Sequence, residues 1–316
     1  MSKLKLLATG SGGCIINNFI RRALFEKLPY DIVSIDKVLK SSVLNNIYAN
    51  KNHEFRMGDV ADKHLINVIF EIEKPDIVIH GANEKTNNSN DLIRSNVLGT
   101  QVLVDAAIKW GVKKFIYVSS GKVYWQLTET NMVESEEDDG CQLNPTSFYG
   151  ASKAAGEMIV KAAGNSFGLN YIITRGANNY GPRQTIDRFI PKTIKSILEG
   201  QKIQVYDKGF QIRDWLHVFD YASALIKILE CGKNNETYNI SSNQEFTNIE
   251  VVNEICNVLG KGFDLIEFVK CDRPIDIRRA LNSDRLKALG WKPDYKFRGG
   301  IRTTVDWYFN NKYFLK

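Results

Sequence analysis

The stretch that decides the fold lies near the amino terminus and reads Leu4-Lys5-Leu6-Leu7-Ala8-Thr9-Gly10-Ser11-Gly12-Gly13-Cys14-Ile15-Ile16. It joins a short apolar run, a glycine-rich turn and the start of an amphipathic segment. An apolar run without polar alternation predicts a strand that is buried on both faces. Glycines permit a tight turn whose backbone N–H groups approach a pyrophosphate at a helix N-terminus. The stretch therefore predicts the first strand, turn and helix of a dinucleotide-binding domain.

The same alternation continues through the first half of the chain. We predict strands at Leu4–Ala8, Ile32–Ile35, Glu54–Met57, Ile77–His80, Phe115–Ser119 and Tyr171–Thr174. Apolar residues recur at helical spacing between them and predict helices at Ile15–Leu28, Lys63–Glu73, Leu92–Trp110 and Ala151–Phe167. Alternation at this rhythm is typical of βαβ units. We therefore predict an α/β fold with a Rossmann-type, doubly wound parallel sheet.

The pattern loosens after about Asn178. Here we predict shorter strands and helices, at Ile203–Tyr206, Ile212–His217, Phe219–Glu230, Tyr238–Ile240, Ile249–Leu259 and Ile301–Phe309. We interpret this half as a smaller α+β lobe over the carboxyl ends of the parallel strands, where open α/β sheets bind ligands. Residues 1–178 would form the dinucleotide-binding domain and residues 179–316 the substrate-binding lobe, with some interleaving of the chain expected.

Composition and charge narrow the classes of partner. The 316 residues carry 42 Lys and Arg against 36 Asp and Glu, a net charge of +6, without a Lys/Arg-rich block. This mild excess suits an anionic small molecule, and we expect no nucleic-acid partner. No apolar run approaches the roughly 18 residues that span a bilayer, so we expect a cytoplasmic protein without a membrane partner. Five cysteines without a Cys-x-x-Cys pair, and only four histidines, predict no metal site.

Acidic residues after the second and third strands indicate the type of dinucleotide. Asp36 ends the second strand, where its carboxylate could accept hydrogen bonds from an adenosine ribose. A 2′-phosphate would face this negative charge, so the position favours NAD over NADP; the alternative is that Asp36 merely ends a strand. Asp59, after the third strand, could lie near the adenine. The motif departs from its usual form at Ile16, where a third glycine would let helix and strand pack closely.

A second group of residues carries the side chains that acid–base catalysis uses. Ser120 follows a buried strand, and Tyr149 and Lys153 occur four residues apart on one helical face. A lysine ammonium near a phenol favours the phenolate and so prepares the tyrosine for proton transfer. Ser120 could share a hydrogen bond with the same substrate oxygen. We predict these three residues as catalytic.

Several longer motifs make the sequence resemble a known family. They are Ser34-Ile35-Asp36-Lys37, His80-Gly81-Ala82-Asn83-Glu84, Asn96-Val97-Leu98-Gly99-Thr100, Tyr149–Lys153, Asn178-Asn179-Tyr180-Gly181-Pro182, Gln211-Ile212-Arg213-Asp214-Trp215-Leu216, Glu236-Thr237-Tyr238-Asn239-Ile240 and Asp272-Arg273-Pro274. Over essentially its whole length the chain resembles the extended short-chain dehydrogenase/reductase family of nucleotide-sugar enzymes, and most closely the dTDP-glucose 4,6-dehydratases.

The resemblance implies a tightly bound NAD, a homodimer and a UDP- or dTDP-hexose substrate. The tyrosine would take the 4-hydroxyl proton while the C4 hydride passes to the nicotinamide, which gives a 4-keto sugar. The residues expected to bind NAD are Gly10, Gly12, Gly13, Cys14, Ile15, Asp36, Lys37, Asp59, Val60, Ala82, Asn96, Tyr149 and Lys153. Those expected to bind the substrate are Glu84, Asn179, Arg188, Arg213, Asn248 and Arg278. Arginine suits this task because its planar guanidinium binds phosphate oxygens in pairs.

The sequence departs from the dehydratase pattern directly after Ser120. The dehydratases carry an Asp-Glu pair there, an acid for the leaving 6-hydroxyl and a base for the C5 proton, whereas this chain has Gly121-Lys122. Lys122 could still abstract the C5 proton, as in the inverting dehydratases that it resembles. Alternatively, the protein has lost the elimination and is a 4-epimerase or a 4-keto-sugar reductase. A separate interpretation is that Lys122 is simply a solvent-facing side chain. A remoter alternative is a catalytically silent NAD- or nucleotide-sugar-binding protein.

Overall fold

A computed structural model describes residues 3–38, 46–86, 88–125, 143–271 and 276–315. The motif Asp272-Arg273-Pro274 lies outside these described residues. The strands are β1 (Leu4–Thr9), β2 (Tyr30–Asp36), β3 (His53–Met57), β4 (Ile77–His80), β5 (Lys114–Val118), β6 (Tyr171–Gly176), β7 (Asn178–Tyr180), β8 (Ile203–Tyr206), β9 (Ile212–His217), β10 (Glu236–Ile240), β11 (Glu245–Thr247), β12 (Ile266–Val269) and β13 (Arg278–Arg279). The helices are α1 (Cys14–Phe25), α2 (Lys63–Glu73), α3 (Ser89–Leu92), α4 (Gly99–Lys109), α5 (Phe148–Phe167), α6 (Phe189–Glu199), α7 (Val218–Cys231), α8 (Asn248–Leu259), α9 (Asp284–Ala288) and α10 (Phe297–Asn310).

The central sheet has seven parallel strands in the order β10-β6-β5-β4-β1-β2-β3. Neighbouring residues of one strand pack on opposite faces: Leu6 of β1 joins the core under α1 and α7, and Leu7 joins the core under α2, α4 and α5. The predicted doubly wound fold is therefore confirmed. The strand order reverses between β1 and β4, and ligands bind at such a switch point in open α/β sheets.

The elements α7 and β10 belong to the large sheet and not to the smaller lobe. Strand β10 pairs with β6, with Tyr238 opposite Thr174, and α7 buries Tyr221 and Leu225 in the same core as α1. The placement of the predicted segments Phe219–Glu230 and Tyr238–Ile240 in the lobe was therefore wrong. Hydrophobic periodicity identifies a strand, but it does not say which sheet the strand joins. The boundary at residues 178 and 179 otherwise stays a prediction.

The predicted helix Leu92–Trp110 is not a regular α-helix over its whole length. The segment Ile93–Leu98 between α3 and α4 is a π-helix. It contains Asn96, whose buried side chain bonds to the backbone of Glu84 in the loop after β4. Such π-helical turns are frequent at functional sites. Periodicity could not reveal this one, because the apolar pattern continues through it.

The smaller lobe packs around strand β9. This strand pairs with β7, β11 and β13, while β8 pairs with β12. Helices α6, α8 and α10 bury Ile194, Ile255 and Ile301 against these strands. No helix of the described ranges is long and apolar enough to cross a membrane. Within the same ranges, no group of three or more His, Cys, Asp or Glu side chains could hold a metal ion.

A buried ion pair links helix α5 to strand β6. Glu157 of α5 accepts from Arg175 Nε at 3.1 Å and from Nη2 at 2.7 Å, and the two side chains are 0% and 2% exposed. Ser119, at the end of β5, donates to the same carboxylate at 2.5 Å, and Arg175 Nη1 donates to the Tyr124 hydroxyl at 2.6 Å. Burial lowers the pKa of Arg175, but the charge and hydrogen bonds of Glu157 outweigh it and raise that pKa.

The substitution Glu157→Gln should be severely destabilising. It leaves the Arg175 guanidinium buried without its counter-charge, and a broken buried pair costs about 3–5 kcal/mol of unfolding free energy. Chemical denaturation followed by circular dichroism measures this. The matched control is Glu26→Gln, which removes the surface pair with Arg22 and should cost about 0.5 kcal/mol or less. Equal effects of the two substitutions would contradict the proposed importance of the buried pair.

Candidate active site

A cleft of about 490 Å³ opens at the carboxyl ends of β1, β4 and β5, between the large sheet and the smaller lobe. Sixteen of the predicted site residues line it: Gly10, Gly12, Gly13, Cys14, Ile15, Asp36, Lys37, Asp59, Val60, Ala82, Glu84, Ser120, Lys122, Tyr149, Asn179 and Arg188. The other five, which do not line it, are Asn96, Lys153, Arg213, Asn248 and Arg278.

The glycine-rich turn forms the floor of the cleft at one end. Gly10 has φ +83°, and a Cβ there would lie 2.6 Å from the backbone nitrogen of Ala82, so only glycine fits. Gly13 precedes the first turn of α1. The turn therefore presents backbone N–H groups at a helix N-terminus, as an anionic pyrophosphate requires.

The Ile16 side chain packs against Gly81, which has no Cβ to obstruct it. A Cβ on Gly81 would lie 2.4 Å from Ile16 Cγ1, and Ile16 itself is 2% exposed in the core. Close packing between α1 and the sheet is thus retained, with the small residue on the strand side. The departure from the usual glycine motif therefore does not disrupt the turn.

Asp36 lies where the sequence predicts it, at the end of β2. Its Oδ2 accepts from the backbone N–H of Gly12 at 2.9 Å, and its Oδ1 accepts from the N–H of Val38 at 2.8 Å. A carboxylate accepts about four hydrogen bonds, so lone pairs remain for a ribose hydroxyl. The carboxylate thus ties the glycine turn to the second strand.

The next residues along this edge pair with one another. Lys37 Nζ lies 2.7 Å from Glu84 Oε1 and donates to Ser95. Asp59 lies 3.2 Å from Arg94, at the far end of the cleft. Glu84, predicted for the substrate, is therefore held beside a predicted cofactor residue.

Asn96 does not line the cleft but supports one of its loops. Its Oδ1 accepts from the N–H of Glu84 at 2.7 Å, and its Nδ2 donates to the Glu84 carbonyl and to Ser152 Oγ, both at 2.9 Å. These bonds use its polar atoms to fix the loop after β4 against α5. Its position fits a supporting role for the loop and not a direct contact with the cofactor.

The predicted catalytic side chains converge at the other end of the cleft. Ser120 ends the loop after β5, and Tyr149 lies in the first turn of α5, with its hydroxyl 3.5 Å from Asn83 Oδ1. Burial raises the pKa of Tyr149, while the charge of Arg188 and a hydrogen bond with the Ser120 hydroxyl oppose this rise. Lys153 is not among the groups that lower the pKa of Tyr149. The lowering of this pKa by the lysine, which the sequence predicts, is therefore not seen.

Lys153 is buried one turn further along α5. Its ammonium lies 4.2 Å from the centre of the Tyr117 ring, a cation–π distance, and has no hydrogen-bond partner within the described ranges. Burial lowers its pKa to about 7, although the charge of Glu157 opposes this. A buried donor without a partner is costly, so this site is built to receive an acceptor.

Lys122 points into the cleft beside a carboxylate from the smaller lobe. Its Nζ lies 3.7 Å from Asp276 Oδ2, and its side chain is 33% exposed. Burial lowers the pKa of Lys122; Asp276 raises it, and the charges of Arg279 and Arg213 lower it further. A side chain confined in this way does not fit the alternative in which Lys122 simply faces solvent.

The predicted substrate residues divide into two groups. Asn179 and Arg188 line the cleft, and Asn179 Oδ1 is buried without a hydrogen-bond partner in the described part of the chain. Arg213 instead donates to the carbonyls of residues 276 and 277, and Arg278 forms two 2.6 Å hydrogen bonds with Glu245. Asn248 donates to the side chain of Gln211. These last three residues support the wall of the lobe.

Sequence reasoning missed several charged residues in or beside the cleft: Lys85 and Arg279 line it, and Asp276 pairs with Lys122. Lys85 follows the motif that ends at Glu84, and its ammonium lies 5.6 Å from the centre of the Tyr149 ring. The surrounding protein, Arg188 and Lys122 lower its pKa to about 7, although the side chain is exposed to solvent. Its place in the motif could have identified Lys85, but no sequence signal joins Asp276 to Lys122.

Comparisons with known proteins agree with this arrangement. Residues 6–241 match the model of the family described as NAD dependent epimerase/dehydratase family. The chain belongs to this family. The dTDP-D-glucose 4,6-dehydratase of Mus musculus is 34% identical over 97% of this chain and 89% of its own length. The Haloferax volcanii low-salt glycan biosynthesis protein Agl12 is 31% identical over 98% of this chain and 99% of its own.

Solved structures show the same likeness. The dTDP-glucose 4,6-dehydratase of Bacillus anthracis in complex with NAD has a TM-score of 0.90 and 33% identity, and the match covers 99% of this chain and all of that one. The UDP-glucose 4-epimerase of Thermotoga maritima with UDP-glucose has a TM-score of 0.89 and 25% identity, over 98% of this chain and all of that one. The resemblance stated from the motifs is thus confirmed.

Membership of this NAD-dependent family confirms NAD as the cofactor, and the residues present fit it. The glycine turn, in which a Cβ at Gly10 has no room, would hold the pyrophosphate, and Asp36 would hold the adenosine ribose. The Lys153 ammonium, buried without a partner in the described ranges, would donate to the nicotinamide ribose. The geometry of the turn, Asp36 and Lys153 is thus compatible with the cofactor-binding roles predicted for them.

The substitution Asp36→Ala should weaken NAD binding by about 1–3 kcal/mol, because a charged hydrogen bond to the ribose is lost. Isothermal titration calorimetry of the purified protein measures this. The matched control is Asp31→Ala, which removes an exposed carboxylate from the same strand and should leave NAD affinity unchanged. Tighter binding of NADP than of NAD by the unmodified protein would overturn the role of Asp36.

Proposed function

We propose that this enzyme modifies a nucleotide-activated hexose by a reaction that begins with oxidation at C4, and that it is a 4,6-dehydratase. The observation that carries the proposal is that Ser120 and Tyr149 line the same cleft as the glycine turn, while Lys153 is buried one turn further along α5. The relatives named dTDP-glucose 4,6-dehydratase cover almost the whole chain. Several cations around the cleft suit the diphosphate of a UDP- or dTDP-hexose.

The first step is proton removal from the 4-hydroxyl. Tyr149 accepts this proton, and Ser120 holds the same oxygen by a hydrogen bond. The charge of Arg188 and the Ser120 hydroxyl lower the pKa of Tyr149 against the effect of burial, and so assist the phenolate. Bound NAD would accept the C4 hydride and later supply the hydride that reduces C6. The product of the first step is a 4-keto sugar, which makes the C5 proton acidic.

The second step is loss of water across C5 and C6. Lys122, as its neutral amine, takes the C5 proton, and the ammonium so formed would return a proton to the 6-hydroxyl, which leaves as water. Burial, Arg279 and Arg213 lower the pKa of Lys122 and so favour the neutral amine, and Asp276 opposes them. A lysine can serve as a general base when its surroundings depress its pKa in this way.

A 4-epimerase or a 4-keto-sugar reductase is the second candidate. The glycine at position 121 favours it, because the acid that the dehydratases carry there is absent. The likeness to the UDP-glucose 4-epimerase of Thermotoga maritima also favours it. Neither reaction removes the C5 proton, so in both cases Lys122 has no proton to take.

The experiment that separates these candidates is product analysis with dTDP-glucose, UDP-glucose and UDP-N-acetylglucosamine in deuterated water. A dehydratase gives a 4-keto-6-deoxy product that has lost one water and carries deuterium at C5. An unchanged mass with a new sugar configuration indicates epimerisation. Recovery of all three substrates unchanged, with no absorbance of reduced NAD, would contradict the proposal of C4 oxidation for these sugars.

We further propose a homodimer and a cytoplasmic location. The dimer would form through the helices of the segments Leu92–Trp110 and Ala151–Phe167. Leu98 and Met158 in these segments are 45% and 47% exposed, and a second copy would cover them. The cytoplasmic location rests on the expectation from sequence alone.

The substitution Tyr149→Phe should leave folding and nucleotide-sugar binding intact and slow turnover by about 10²–10⁴-fold, the range for loss of a general acid–base group. Stopped-flow absorbance at the band of reduced NAD measures the C4 step directly. A suitable control is Tyr206→Phe, an exposed tyrosine of the lobe. Full activity of the Tyr149 variant would remove this residue from the mechanism.

The substitution Lys122→Ala should abolish dehydration and the exchange of the C5 hydrogen with deuterated water. Reduction of NAD in a single turnover should survive, because Ser120 and Tyr149 are unchanged. Nuclear magnetic resonance of the sugar measures the exchange, and Lys192→Ala on helix α6 is the control. Unaltered C5 exchange in the Lys122 variant would show that another group is the base.

A further inference from the structure

The pair formed by Lys122 and Asp276 joins two parts of the fold. Lys122 lies in the short 3₁₀ turn Gly121–Val123 after β5, and Asp276 precedes β13 in the smaller lobe. Their charged atoms lie 3.7 Å apart. The carboxylate is 13% exposed, so it is largely removed from solvent. An ion pair in this setting constrains the lysine more strongly than a surface pair does.

Arg279 fixes the carboxylate of this pair. Its Nε donates to Asp276 Oδ2 at 2.6 Å, and Thr146 Oγ1 donates to Oδ1 at 2.9 Å. Burial raises the pKa of Asp276, but these hydrogen bonds, the Arg279 charge and the Lys122 charge lower it to about 2. The carboxylate therefore stays ionised and immobile beside Lys122 throughout the neutral range.

The same arginine holds the turn that carries Lys122. Its Nη1 donates to the carbonyls of Gly121 at 3.3 Å and Tyr124 at 3.1 Å, and its Nη2 donates to Thr146 at 2.7 Å. Arg279 thus donates to backbone carbonyls on both sides of Lys122. It also donates to the Asp276 carboxylate, which lies beside the Lys122 ammonium. The lysine is fixed at both ends, at its Cα through the turn and at its ammonium through Asp276.

Position 121 adds a second constraint on the turn. A Cβ on Gly121 would lie 3.0 Å from Leu281 Cδ1 and 3.3 Å from the Gly176 carbonyl. A larger residue, such as the acid that the dehydratases carry there, would have to displace these neighbours. Leu281 thus restricts the size of the side chain at position 121. The titratable side chain that the turn Gly121–Val123 presents to the cleft is therefore that of Lys122.

We propose that Asp276, fixed by Arg279, is a positioning residue that holds the Lys122 amine for removal of the C5 proton. This inference rests on the proposed dehydratase function. In the step concerned, the C5–H bond breaks and its proton passes to the Lys122 nitrogen, while the electron pair forms the enolate of the 4-keto sugar. Asp276 does not itself line the cleft, whereas Lys122 does; its role would be to set the place and the protonation of the lysine.

The charges that face Lys122 come from three segments. Asp276 and Arg279 belong to the segment at β13, Arg213 to β9, and Lys85 to the loop after β4. Asp276 is the negative charge of this group, and it raises the pKa of Lys122 against the effects of burial, Arg279 and Arg213. Removal of its charge therefore lowers the pKa of Lys122, and the neutral amine then persists to lower pH.

The test is the pH profile of C5 hydrogen exchange for the variants Asp276→Asn and Asp276→Glu. The asparagine variant should exchange about 10–100-fold more slowly, because the amine is no longer held in place. The acidic limb of its profile should move to lower pH, by about one unit. The acidic limb of the pH profile of the glutamate variant should lie at the same pH as in the wild type. The exposed control Asp284→Asn, which removes a pair with Lys287, should change nothing.

Two further readouts separate a positioning role from a structural one. Reduction of NAD in a single turnover should be the same in the wild type and in Asp276→Asn, because the C4 step does not use Lys122. The pKa of Lys122, followed by NMR of ¹⁵N-labelled lysine in the protein with NAD bound, should fall in Asp276→Asn. An equal loss of NAD reduction and C5 exchange, or an unchanged Lys122 pKa, would overturn the proposal.

The same measurements separate this proposal from the proposed function. If the wild type reduces NAD but never exchanges the C5 hydrogen, the dehydratase function fails and the positioning role for that step fails with it. If the wild type exchanges C5 and the Asp276→Asn profile keeps its shape and position, only the role of Asp276 fails. Rescue by glutamate and not by asparagine would support a role for the charge itself.

Discussion

The buried ion pair between Glu157 and Arg175 is the constraint on which the catalytic end of the cleft depends. Tyr149, Lys153 and Glu157 follow at intervals of four on α5 and so share one helical face. Glu157 fixes that face to β6 through Arg175 and to the end of β5 through Ser119. The pair therefore sets the distance between the helix that carries the tyrosine and the loop that carries the neighbouring Ser120. Breaking it costs several kcal/mol because neither charge can reach water.

The cleft combines this rigid frame with an excess of partly desolvated cations. Burial lowers the pKa of Lys153 and of Lys122, and of these two lysines Lys122 is the one that forms an ion pair within the described ranges. Such charges are costly in the absence of anions. Two diphosphates, one from the cofactor and one from the substrate, would offset this cost. Burial, assisted at Lys122 by the charges of Arg279 and Arg213, explains the depressed pKa values of the two lysines, which acid–base chemistry near neutral pH requires.

Local patterns predicted the sheet, the glycine turn and the spacing of Tyr149 and Lys153, because each depends on residues close together in the chain. Contacts between distant segments were not predictable in this way. The sequence indicated neither that β10 joins the large sheet nor that Asp276 meets Lys122, since these depend on how the lobe folds back. The packing of the large Ile16 side chain against Gly81 was not predictable either, because it also joins segments that are distant in the chain. The pKa of Tyr149 was mispredicted because burial outweighs nearby charge.

The central claim is that one cleft oxidises C4 and then eliminates water from C5 and C6. The most direct test follows the hydrogen of C4, with a nucleotide-glucose that carries deuterium at that carbon. If one cleft carries out both steps, the deuterium is found at C6 of the 4-keto-6-deoxy product, within the same molecule. Deuterium retained at C4 of a product with inverted C4 configuration would contradict dehydration and establish epimerisation. Deuterium retained at C4 of unaltered substrate, without reduced NAD at any time, would contradict C4 oxidation itself.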